Sequence, residues 1–277
     1  VARKGARVVG EPGEGSASHV WREIVERDRD RGAPTAAWEP EVWVQEPDDA
    51  PARATATTAK PARTRRPPGD RLPTPVKEEL GRSNRRLAPK LEQRLGEAVR
   101  AYERDRYLDA RRMLRPLAEA APDAAAVREL YGLTLYRMNR WSEALRELET
   151  FHLLTGSHDQ HPVLMDVNRA LRKWRVVDRL WADLKAASPG AEIVAEGRIV
   201  AAGALADRGK LPDAISLLER ASTDVKRPKL HHLRTWYALA DLYERAGEIP
   251  RARALFKTVL RQDAEFADIA ERLAALG

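Results

Sequence analysis

From Leu91 to the end of the chain, apolar residues return every third or fourth position, in stripes broken by polar turns. That is the period of one helix face. The pattern is clearest over 233–259. Trp236, Leu239, Ala240 and Tyr243 fall at i, i+3, i+4 and i+7, and Ala252, Phe256 and Val259 form a second stripe. Gly247, between them, suits a left-handed helix end, and Pro250 suits the first turn of the next helix. The stretch predicts a helical hairpin, with Ala240 and Ala252 small enough to bring the two helices together. One hairpin cannot cover both of its apolar sides, so further copies are expected.

Those copies are present with varying fidelity. Tyr131, Gly132, Leu135, Trp141, Ala144, Leu148 and Phe151, closed by Gly156, repeat the layout cleanly. Ala201, Ala202, Leu205, Gly209, Leu211, Ala214, Leu218 and Ala221 form a further copy. The first copy is degenerate and runs from Leu95 through Ala98, Val99, Tyr107, Ala110, Leu114 and Leu117; Pro116 should kink or shorten its second helix. The third, Leu164 to Leu184, has Val177 where the others have alanine, so its helices should pack loosely or splay. Between the corresponding residues Ala110, Ala144, Val177, Ala214 and Ala252 the steps are 34, 33, 37 and 38 residues. The longer two require extended loops or helices around 189–193 and 223–230. Phe266, Ile269, Ala270 and Leu273 predict a helix that caps the stack. Val76, Leu80 and Leu87 predict a short lead-in helix ending near Pro89.

The order Trp236, Leu239-Ala240, Tyr243, Ala252, Phe256 resembles the tetratricopeptide repeat (TPR), and the likeness extends over about Leu91–Gly277. More narrowly, His161-Pro162-Val163-Leu164-Met165-Asp166 with Arg169-Ala170-Leu171, and Arg198-Ile199-Val200-Ala201-Ala202-Gly203, resemble an uncharacterised group of actinobacterial TPR proteins, which brings no known activity. The resemblance implies an all-α fold, a TPR-like α-solenoid of about five hairpins plus a capping helix. It also implies non-enzymatic scaffolding of protein partners. Co-chaperone members hold a peptide carboxylate with Lys, Asn and Arg; Val99, Leu133 and Asp166 stand in the comparable places, so such a clamp is not expected.

With each buried stripe assigned, the opposite face of the first helices would line a partner-binding groove. It offers Tyr102, Glu129, Leu133, Tyr136, Arg137, Asp166, Arg169, Arg234, Tyr237 and Asp241. Tyr and Arg are enriched at binding hot spots. The same charges, with Glu196 and Arg198, would serve equally to pair adjacent helices.

The tail reads differently. Residues 1–75 are rich in Pro, Gly, Ala and charge without a sustained period, which predicts a mostly disordered segment. Trp21, Trp38 and Trp43 interrupt it, and three tryptophans in a polar tail imply something that covers them: the chain's own solenoid or another protein. The expected organisation is thus a tail over 1–75, a helical lead-in over 76–90 and a repeat domain over 91–277.

Charge sharpens that division. Residues 1–59 hold 8 Lys+Arg against 11 Asp+Glu (−3), 60–90 hold 10 against 3 (+7), and 91–277 hold 31 against 28 (+3). The basic segment, with Arg63, Arg65, Arg66, Arg82, Arg85 and Arg86, supports the rival reading, contact with RNA, a ribosome or DNA. Zero cysteines exclude disulfides and thiolate chemistry and fit a reducing compartment. No apolar run approaches the roughly 18 residues that span a membrane, so a cytoplasmic protein is expected. His158 and His161 flank Asp159, but no third ligand is evident, and neither a phosphate loop nor a nucleophile elbow occurs. No catalysis, metal or cofactor is expected. A protein or peptide partner is.

Overall fold

The computed structural model describes residues 72–221 and 225–277, which contain twelve helices and no strand. Trp21, Trp38, Trp43, Arg63, Arg65 and Arg66, and the predicted tail up to residue 71, lie outside the described residues, while its last two positions, Thr74 and Pro75, already belong to the lead-in helix. A lead-in helix α1 (Thr74–Ser83) precedes five hairpins. These are α2 (Ala88–Tyr102) with α3 (Tyr107–Ala120), α4 (Ala125–Arg137) with α5 (Trp141–Thr155), α6 (His161–Ala170) with α7 (Trp174–Ala187), α8 (Ala191–Asp207) with α9 (Leu211–Glu219), and α10 (Leu230–Arg245) with α11 (Ile249–Gln262). The closing helix is α12 (Ile269–Ala275). The first helices α6, α8 and α10 pack on one another in succession, as a TPR-like solenoid requires.

One turn is used five times. Asp105, Asn139, Arg172, Gly209 and Gly247 all have φ between 54° and 77°, the left-handed region. In each case the next residue donates its N–H five residues back: Arg106 to Ala101, Arg140 to Leu135, Lys173 to Asn168, Lys210 to Leu205 and Glu248 to Tyr243, at 2.8–2.9 Å. These bonds occupy carbonyls that a helix end otherwise leaves open. The turns recur at the 34, 33, 37 and 38-residue steps anticipated from the side chains. The extra length has two sources. Helix α8 has 17 residues where α4 has 13, and α9 is followed by a long connection from Arg220 to Lys229.

Two local expectations need correction. Helix α3 continues through Pro116 for 14 residues and is not shortened, because the ring deprives only one carbonyl, that of Arg112, on an exposed side of the helix. Leu87 does not belong to the lead-in helix, which stops at Ser83; it is the residue before α2, with Pro89 in that helix's first turn.

The core falls into three clusters. One runs from Val76 in α1 to Val167 in α6 and one from Ala202 in α8 to Ile269 in α12. Between them lies a small one of Met165, Val177, Leu184, Ile193, Ala201 and Ala204. Helix α1 packs across α2 and α4, burying Val76 and Leu80 completely. Its Glu79 accepts the Ala126 N–H at 3.1 Å, so it caps the open N-terminus of α4 from another helix.

Candidate interaction surfaces

The predicted groove divides into buried and half-exposed members. Tyr102, Glu129, Leu133 and Tyr237 are 1%, 0%, 1% and 5% exposed, which removes them from any open surface. The cause is close packing. Tyr102 meets Tyr107 edge-on, and Leu133 belongs to the continuous core from α1 to α6. Glu129 accepts a hydrogen bond from the buried Gln160 amide at 2.9 Å. Tyr237 packs against Phe256 and Phe266 and donates its hydroxyl to Asp268. Helical spacing could not distinguish an inner face from a second buried face.

Tyr136, Arg137, Asp166, Arg169, Arg234 and Asp241 are half-buried. Arg137 lies over Tyr107 and donates to its hydroxyl at 2.9 Å. The others join the first helices in sequence. Tyr136 of α4 donates to Asp166 of α6 at 2.7 Å. Arg169 of α6 contacts that same carboxylate at 3.4 Å and donates to Asp207 of α8 at 2.6 Å. Arg234 of α10 reaches back to Glu196 of α8 at 2.9 Å, and Arg272 of α12 donates to Asp241 of α10 at 2.6 Å. A ladder of side-chain bonds therefore crosses every first helix from α4 to α12.

Gly203 is part of this ladder. A Cβ there would fall 2.7 Å from an Arg169 guanidinium nitrogen, so the missing side chain is what lets that arginine cross α8. Burial pulls against the charge on Arg169, but its bond to Asp207 and the carboxylate of Asp166 outweigh that and raise its pKa.

A second surface escaped notice in the sequence. Helices α3 and α5 both pack on α4, and between them lies a cleft of about 530 Å³. Arg111 and Arg115 face it from α3, Arg128 and Tyr131 from α4, and Arg140, Glu143, Arg146 and Glu147 from its far side. Its ion pairs among the described residues are Arg128–Glu147 at 2.7 Å, Arg140–Glu143 at 2.5 Å, Arg115–Glu119 at 3.6 Å and Arg111–Glu143 at 3.7 Å. Burial pushes the Tyr131 phenol pKa up, with Arg111 opposing it, so the hydroxyl stays protonated at neutral pH. The i, i+4 pair Arg111/Arg115 was the available signal, but nothing in the sequence sets it opposite Arg146.

The histidine pair has a third member. His152 of α5 stacks edge-on with His158 and His161, at ring separations of 5.5 and 4.8 Å, and those two are 4.4 Å apart. His152 Nδ1 bonds the Ser157 carbonyl at 2.8 Å. Burial, then the neighbouring rings, push His161 down to about 4, and His158 moves the same way. His158 and His161 are therefore neutral at pH 7, and the three rings join α5 to α6. Among the described residues no group of three or more His, Cys, Asp or Glu is arranged to hold a metal ion. No helix among them is long and apolar enough to cross a membrane.

Comparison with known proteins agrees with this architecture. Two tetratricopeptide-repeat family models match the chain, over residues 95–150 and 205–276. A thermophilic TPR protein of Thermus thermophilus superposes with a TM-score of 0.52 at 20% identity, over 67% of this chain and 98% of that one. The apo form of the quorum sensor NprR from B. thuringiensis superposes with a TM-score of 0.54 at 13% identity, over 72% of this chain and 62% of that one. At these identities the likeness shows the fold alone. No curated protein matches the sequence. The chain carries TPR repeats on a TPR-like solenoid.

Proposed function

We propose that the protein is a non-enzymatic cytoplasmic scaffold or adaptor that binds a protein or peptide along its first-helix face. The tail before residue 72 would dock on the solenoid or recruit a second partner through Trp21, Trp38 and Trp43. The repeats favour this in kind, since such solenoids serve as extended binding surfaces. One observation carries it. The half-exposed Tyr136, Arg169, Arg234 and Asp241 are held in one geometry by cross-helix bonds. Groups ordered before a partner arrives lose less entropy on binding. Affinity capture from the protein's own cell lysate, with the full chain and a Tyr136→Ala/Arg234→Ala variant of matched helicity, tests the reading. A partner retained by the first and lost by the second is expected; identical capture removes the face from consideration.

A second reading, polyanion contact through 60–90, is favoured by Arg82, Arg85 and Arg86, which stand exposed at the turn between α1 and α2. RNA affinity that falls steeply with salt, and loses that slope on Arg82→Ala/Arg85→Ala/Arg86→Ala, would support it.

A further inference from the structure

In the cleft between α3 and α5, Arg111 is out of balance with its neighbours. Its side chain is only 21% exposed and its one ion contact among the described residues, to Glu143, is 3.7 Å long, beyond hydrogen-bonding distance. Its Nε is buried with no hydrogen-bond partner. A guanidinium so far removed from water, with its Nε–H unpaired, is costly, and an oxyanion in front of it would remove the cost through charge-assisted bonds. Tyr131 adds a donor: its ring is buried, and its hydroxyl makes no hydrogen bond among the described residues. Arg146, an exposed cation on the facing helix, forms no ion pair among them either. The cleft's glutamates neutralise this set only in part, because Glu147 is bound by Arg128 and Glu143 is shared between Arg140 at 2.5 Å and Arg111 at 3.7 Å. Pro122 supplies an exposed apolar rim.

We propose that this cleft is an oxyanion site for the carboxylates of an acidic peptide, and that the chain's own segment 38–49 is its occupant. Within those residues stand Glu39, Glu41, Glu46, Asp48 and Asp49, with no lysine or arginine. Trp38 and Trp43 bring apolar surface to the Pro122 rim. Reach is ample. The chain from residue 49 to 72 spans up to about 75 Å, whereas crossing a hairpin from the α1 side to the cleft takes about 20 Å, two helix diameters. Arg111 binds one carboxylate through two N–H groups on one edge of its guanidinium, Tyr131 donates to the same group, and Arg146 takes a second carboxylate at the mouth. The site is separate from the first-helix face and stands or falls independently of it.

The test uses the full chain and a fluorescent peptide of residues 38–49. A chain with Glu39→Gln, Glu41→Gln, Glu46→Gln, Asp48→Asn and Asp49→Asn has an emptied cleft and binds the probe. The unaltered chain binds it at least tenfold more weakly, because its tethered segment competes at high effective concentration. Adding Arg111→Gln to the neutralised chain lowers affinity at least tenfold. Tyr131→Phe and the exposed Arg146→Ala, neither of which removes a folded-state bond, lower it severalfold. Failure of the neutralised chain to bind, or binding indifferent to all three substitutions, overturns the site. Equal binding by neutralised and unaltered chains overturns the occupant.

Discussion

The second and third hairpins carry the same turn and nearly the same repeat length, yet they are built differently. In α4, ten of 13 residues are buried, and the helix has core on every side. Gly132 makes that possible: a Cβ there would sit 2.6 Å from Leu148 Cγ, so α4 and α5 meet at backbone distance. In the third hairpin, α6 has ten residues, α7 buries only Val177 and Leu184, and the shared cluster has only six buried members. Polar bonds complete what apolar burial lacks there. Arg208 clamps Asp178 with two bonds of 2.9 Å, and Arg169 spans from α6 to α8. A solenoid can thus hold its geometry with unequal repeats, since each need only satisfy its neighbours.

The widest gap between the two should appear on cutting one fully buried leucine from the second helix of each. Leu148→Ala is expected to cost about 4 kcal/mol and Leu184→Ala about 2–3 kcal/mol, because the small third cluster collapses more easily around a void. Urea unfolding of both variants measures the difference, and equal losses would erase the distinction. The junction between the hairpins gives the next effect. His161 titrates near 4 when folded and near 6.5 when unfolded, so the unfolded chain binds more protons between those values. Its contribution is complete above pH 6.5 and is lost as pH falls toward 4. By pH 5 the loss is about 2 kcal/mol. His161→Gln should flatten that slope in a urea series across pH 7 to 5.

A smaller effect has the opposite sign. Arg172 holds an αL turn that glycine fills at 209 and 247, and it is exposed. Arg172→Gly is expected to stabilise by about 1 kcal/mol in the melting curve. Asn139→Gly, in the second hairpin, should change stability by a few tenths at most, since asparagine tolerates the conformation. Last, amides of α7 should exchange with deuterium faster than those of α5, by roughly tenfold, as expected where fewer apolar residues protect the helix.

Much of the frame was legible because its determinants are local. The spacing of Ala110, Ala144, Val177, Ala214 and Ala252 gave the repeat steps, and Gly209 and Gly247 marked two of the turns. Asp105 and Arg172 take the same conformation without a glycine to mark it, closed by the Arg106 and Lys173 N–H bonds back to Ala101 and Asn168. The surfaces were harder to read. Helical period placed Tyr237 and Leu133 on a common face with Asp241 and Tyr136, but only the neighbouring helices decide which member of such a face sees solvent. The Arg111–Tyr131–Arg146 cleft and the His152–His158–His161 cluster each join two helices and a loop or third helix, a relation that no single window of sequence contains.

The Glu79–Ala126 bond has a mechanical consequence. Helix α1 lies across α2 and α4 and is fastened to the second hairpin as well as the first. A pull applied to the chain before residue 72 is therefore not delivered to one terminal helix that can peel away alone. It is shared as shear between two repeats, and the lead-in helix acts as the strain relief at the root of a cable.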